Sequence, residues 1–151
     1  LFAVKALRDI TPDKLRDNID KLEPLVAKRA RHVISENDRT QLAANALQEN
    51  NIAELSLLMA ASHRSMRDDF EITTPEIDSL VDIIQSNLGD QGGVRMTGGG
   101  FGGCVIALVP RTMTDAIITN VEEQYPLRTG LQADVYRCHS TAGAGLLDHS
   151  G

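Results

Sequence analysis

The sequence predicts a single α+β domain, and three observations carry that prediction. Helical apolar periodicity with recognisable start signals fills the first two-thirds of the 151 residues. Two short strand-like runs then flank a cluster of glycines. No low-complexity linker, internal repeat or composition shift divides the chain.

Taken in order, Thr11-Pro12-Asp13 is a helix start, because proline in the first turn lacks only an N–H that would be unpaired there. The periodicity predicts a long helix from about Leu25 to Glu49, with Val26, Ala30, Val33, Ile34, Leu42, Ala46 and Leu47 on its apolar face. Asn50-Asn51 breaks it and caps the next helix, with Glu54 three residues after Asn51. Ile52, Leu55, Leu58, Met59 and Met66 give that helix its buried side. Thr74-Pro75-Glu76 opens another, with Ile77, Leu80, Val81, Ile84 and Leu88 on one face and Gly89 ending it. Gly93 to Thr97 reads as a short strand and Cys104 to Val109 as a buried one, stopped by Pro110. A helix from about Thr112 to Arg128 follows, with Gly130 as terminator. Ala133 to Cys138 reads as a closing strand, and the stretch from Thr141 through Gly143-Ala144-Gly145 as a loose tail.

Apolar residues make up 42% and charged residues 24%, the balance of a globular chain, and aromatics at 3% leave an aliphatic core. The net charge of −6 argues against nucleic-acid binding, which draws on clustered Lys and Arg. The run Lys28-Arg29-Ala30-Arg31-His32 reads as a solvated helix face. Cys104 and Cys138 lie in apolar stretches without metal-ligand spacing, so buried reduced thiols and a cytoplasmic protein are expected. No apolar run approaches the roughly 20 residues that span a bilayer, and the sequence reads without a signal-peptide pattern. The start at Leu1 reads as the interior of a longer polypeptide. His32, His139 and His149 are isolated and read as surface or packing residues.

The chemistry is concentrated in Thr97-Gly98-Gly99-Gly100-Phe101-Gly102-Gly103, where five of the 12 glycines fall within six positions. Glycine permits positive φ and close approach of a ligand to the main chain, and successive N–H groups in such a turn form an anion nest. Gly98, Gly100 and Gly103 satisfy G-x-G-x-x-G, but a strand follows at once where a dinucleotide fingerprint needs a helix. A Walker lysine is absent too. A tight hairpin with no ligand is the competing reading. The second cluster is Ser62-His63-Arg64-Ser65-Met66-Arg67-Asp68-Asp69-Phe70. It places His63 or Arg67 at a phosphate and Asp68 or Asp69 at a metal or hydroxyl, or it is simply a polar helix end.

The segment Gly93-Val94-Arg95-Met96-Thr97-Gly98-Gly99-Gly100-Phe101-Gly102-Gly103-Cys104 resembles the third, glycine-rich motif of the GHMP kinases, in the form of their galactokinase branch. Arg29 to Asn37 and Ser62 to Phe70 resemble two further segments of that branch, and Tyr136 and the Gly143-Ala144-Gly145 tail fit it. The resemblance implies a C-terminal lobe over residues 1–151, with ferredoxin-like helices packed on an antiparallel sheet. It implies transfer of the γ-phosphoryl group of ATP, with Mg2+, to the C1 hydroxyl of galactose, at a site between two lobes. Thr97 to Gly103 would then close on the phosphates and sugar, with His63, Arg67, Asp68 and Asp69 in support. The family's serine-rich phosphate loop, sugar signature, catalytic Asp and partner Arg are absent from this sequence. The resemblance therefore places catalytic residues and metal ligands in a missing N-terminal half, and implies that this chain alone is inactive. Three alternatives stay open: another GHMP small-molecule kinase, a non-catalytic galactose- and ATP-sensing relative, and a small anion-binding module. An apolar face left by the missing half is also expected.

Overall fold

A computed structural model describes residues 2–141. The helices start where the sequence supplies caps. Thr11 accepts from the Lys14 N–H ahead of α1 (Pro12–Arg16), and Glu23 accepts from the Val26 N–H ahead of α2 (Pro24–Gln48). Asn51 caps α3 (Ile52–Ser65) through the Glu54 N–H, and Thr74 caps α4 (Pro75–Leu88) through the Ile77 N–H. Gly89 and Gly130, at φ of 59° and 74°, end α4 and α5 (Thr114–Thr129). Between α3 and α4 the chain winds into one π turn, Met66–Phe70.

Strands β1 (Gly93–Thr97) and β2 (Cys104–Leu108) form an antiparallel hairpin, with Gly93 opposite Leu108 and Thr97 opposite Cys104. The fold is α+β. The strand period of two sends Val94, Met96, Val105 and Ala107 to one face. There Val94 joins Val81, Ile84, Leu88, Ile117, Val121 and Tyr125 in the largest core cluster. The other face of β1 packs on α3, where Gly93 lies so close to Met59 that a Cβ would stand 2.5 Å from its sulfur. β1 is therefore covered on both sides, whereas β2 is covered on one.

Several sequence expectations are corrected here. β2 is not buried: Cys104, Ile106 and Leu108 are exposed, and Val105 and Ala107 are half-buried. Both cysteines are exposed free thiols. The long helix buries Ala30, Ile34 and Ala46 as read, but it buries Ala27 and His32 as well and leaves Val26, Leu42 and Leu47 exposed. Its neighbours are α3 and the π turn, which accept small side chains and a flat ring. Ala133 to Cys138 forms no strand; Ala133 packs against the core, but Val135 and Tyr136 are exposed and no ladder partner meets them among the described residues. Of the tail, residues 142–151 lie outside the described residues. Phe101, Ile106, Leu108, Leu127, Leu131 and Tyr136 expose large apolar side chains. Among the described residues no helix is long and apolar enough to cross a membrane.

Candidate functional site

Gly98, Gly100, Gly102 and Gly103 join the hairpin strands at φ of 93°, 84°, 122° and 91°, and Phe101 among them sits at 57°. Left-handed backbone is nearly free for glycine but costs other residues roughly 1–2 kcal/mol, so the glycine spacing matches the turn's demand. A Cβ on Gly98, Gly99 or Gly102 would meet nothing within 4 Å. Gly100 differs, because its Cβ would stand 2.6 Å from the Ile72 carbonyl oxygen and 2.7 Å from the Ile72 Cβ. The Phe101 N–H donates to that same carbonyl at 2.7 Å. The loop is thus pinned at one point and open around it. Successive N–H groups in a turn of this composition are the material of an anion-binding nest.

The Ser62–Phe70 segment is not a free polar helix end, because its side chains have partners on α2 and β1. Its inward residues hold β1, the strand that leads into the loop. Ser62 Oγ donates to Glu36 Oε2 at 2.7 Å and accepts from Arg95 Nη1 at 2.9 Å. His63 is 4% exposed, and its Nδ1 accepts the Met96 N–H at 3.3 Å. The ring proton therefore sits on Nε2, which faces Asp78 Oδ1 at 3.2 Å, close enough for attraction but out of line for a hydrogen bond. This buried ring fixes the strand beside the loop.

The outward residues of the segment meet α2. Arg31 pairs with Asp69 Oδ1 at 2.8 Å, and Arg29 donates to the Asp69 carbonyl at 2.6 Å. Ser65 Oγ donates to Asp69 Oδ2 at 3.2 Å, and the His32 Nδ1–H can donate to Ser65 Oγ at 3.0 Å. The His32 ring stacks on Phe70, 4.4 Å between centroids. Lys28 and Arg29 each take one oxygen of Glu71, both at 2.7 Å, and hold its carboxyl below the usual range. The basic run is thus an ion-paired seam rather than a solvated face. Asp68 pairs with Arg67 at 2.8 Å, and that hydrogen bond lowers its pKa. Arg31, Arg39 and Arg64 line a shallow cavity of about 270 Å3 with Asp68 and Asp69, and guanidinium groups outnumbering carboxylates oppose a cation there. Among the described residues no group of three or more His, Cys, Asp and Glu side chains is arranged to hold a metal.

Burial is the largest influence on both inner histidines and lowers their pKa from about 6.5. At His63 this is opposed by Asp78 and reinforced by Arg67; at His32 it is opposed by Glu36 and reinforced by Arg39. The unfolded chain binds these protons first, so the histidines' contribution to stability is fully present above pH 6.5. It is lost as pH falls toward their folded pKa values. The unfolding midpoint is expected to drop between pH 7.5 and 5.5, and His32→Gln with His63→Gln should flatten that drop. The lowered carboxyls, Asp68, Glu71 and Glu76, act only at more acidic pH, so thermal melts across this window isolate the histidines.

The arrangement, an open glycine turn on a hairpin buttressed by a Ser-His-Arg-Asp-Asp helix end, has a known counterpart. Residues 43–127 match the family described as "GHMP kinases C terminal". The chain belongs to the GHMP kinases. Among solved structures it is similar to the galactokinase of Lactococcus lactis complexed with galactose. The two share 36% identity over 89% of this chain, with a TM-score of 0.84. The chain spans only 35% of that galactokinase's length. The GHMP kinase match includes the hairpin, its loop and the π turn.

Sequence reasoning singled out the glycine loop and the Ser62–Phe70 segment but missed the residues that join them. Glu71 and Ile72 directly follow that segment, and nothing in their type marks them. Arg95 was more legible, because strand alternation sets it opposite Val94 and Met96, on the face that meets Ser62 and Glu36.

Proposed function

We propose that this chain is the C-terminal lobe of a galactokinase, its single domain forming one wall of a site completed by an N-terminal half. The parent enzyme would transfer the ATP γ-phosphoryl group to the C1 hydroxyl of galactose. The observation that carries this is the 36% identity to a galactokinase across 89% of the chain, with the glycine loop inside the matched region. Phosphoryl transfer depends on positioning and charge stabilisation. Amides of Gly98, Gly99 and Gly100 would meet phosphate oxygens, with Thr97 and Phe101 to Gly103 setting the turn. His63, Arg67, Asp68 and Asp69 support that wall without touching the reacting atoms. The described residues supply no set of side chains for Mg2+, so the parent's metal would be held by the nucleotide and the other lobe. Two free thiols accord with a reducing cytoplasm.

An assay coupled to ADP release decides the matter. The full-length protein is expected to consume ATP in a galactose-dependent manner, and the isolated 151-residue chain to show none. Turnover by the isolated chain, or galactose-independent behaviour of the full-length protein, would sink the reading.

A further inference from the structure

Among the described residues three that are not glycine have positive φ, and two of them, Glu71 at 58° and Phe101 at 57°, lie on either side of one hydrogen bond. The Phe101 N–H donates to the carbonyl of Ile72, the residue after Glu71. Strain of this kind persists only where surroundings impose it. At Glu71 the surroundings are Lys28 and Arg29, one on each carboxylate oxygen, with Arg29 also reaching back to the Asp69 carbonyl. The Ile72 N–H, in turn, closes the π turn on the Met66 carbonyl at 3.1 Å.

We infer that Glu71 is a positioning residue for the glycine loop: clamped by Lys28 and Arg29, it fixes the left-handed turn that aims the Ile72 carbonyl at Phe101. Its ion pairs are exposed and add little to overall stability. Their effect is directional. Were the carboxylate released, residue 71 would relax toward ordinary backbone and the Ile72 carbonyl would swing away. The loop's backbone anchor at Phe101 would go with it, while β1 stays held by His63, Ser62 and Arg95. The catalytic consequence rests on reading the loop as the phosphate-contacting wall; the coupling itself does not.

Amide hydrogen exchange on the full-length protein tests this, with Phe101 as reporter and Met96, whose N–H donates to His63, as internal reference. Glu71→Ala and Arg29→Ala are each expected to speed Phe101 exchange about ten-fold or more and leave Met96 within about two-fold, the pattern of local opening. Glu71→Gln keeps one acceptor oxygen but sets an NH2 against the other cation, so it should recover only part of the protection. Arg16→Gln, in the remote α1 pair with Asp13, should change nothing. In the kinase assay, Glu71→Ala should raise KM for ATP more than it lowers kcat. Unaltered Phe101 exchange, or exchange at Phe101 and Met96 rising together, overturns the inference. Freed Phe101 in a protein that binds no nucleotide would support the coupling and remove the phosphate reading instead.

Discussion

Gly100→Ala is expected to destabilise the domain by about 2–5 kcal/mol and to abolish most activity of the parent enzyme. Two costs add. A left-handed φ of 84° penalises any Cβ, by about 1–2 kcal/mol. The new methyl would also stand 2.6 Å from the Ile72 carbonyl oxygen, against backbone rather than a flexible side-chain end; such overpacking typically costs about 1–3 kcal/mol. Relief requires moving the loop away from Ile72, which breaks the Phe101 anchor. Gly98→Ala controls for the backbone cost alone, because its φ is 93° and its Cβ would meet nothing within 4 Å. Denaturant melts of the two variants should differ by the packing cost. Equal losses would show that Ile72 does not constrain the loop.

Leu88→Ala is the second large effect, expected at about 3 kcal/mol within the range of about 2–5 for fully buried leucines. Leu88 is 0% exposed, among Val94, Ile117, Val121 and Tyr125 where α4 hands the chain to β1. Its methyl groups already lie 3.1 Å from where a Gly92 Cβ would be, so the space it leaves adjoins backbone that cannot collapse freely. At about 3 °C per kcal/mol for a domain this size, the melting midpoint should fall by about 10 °C. Leu127→Ala, at 87% exposed, should shift it little. Comparable shifts in the two variants would contradict the placement of the core.

The contrast between these positions shows what the sequence made legible. Helix boundaries followed from Thr11, Asn51 and Thr74 because caps are local chemistry, decided within four residues. The face of α4 was legible because one partner, the sheet-side core, buries it. The face of α2 was legible only in part: Ala30, Ile34 and Ala46 are buried as read, but the ring of His32 is buried with them while Val26, Leu42 and Leu47 are not. The strand Ala133 to Cys138 had the right residue types, but a strand forms only where a ladder partner meets it, and none does among the described residues. The glycine cluster announced a turn through composition alone. Which glycine is packed and which is open depends on Ile72, nearly thirty residues earlier in the chain. Likewise His63, Asp68 and Asp69 were visible as chemistry-bearing types, but the groups they meet, Met96, Arg67 and Arg31, were not.

Gly99 sharpens the test of the loop. It has no left-handed φ and a Cβ there meets nothing within 4 Å, so a side chain at 99 intrudes on the open face without straining the fold. The most direct measurement is therefore the paired kcat/KM for ATP and melting midpoint of Gly99→Val in the full-length protein. A loss of about 100-fold or more in kcat/KM, equivalent to about 2.7 kcal/mol of transition-state stabilisation, with the midpoint unchanged is the expected result. Retained activity, or a loss that merely tracks a falling midpoint, would mean the glycine turn serves the hairpin and not the phosphate.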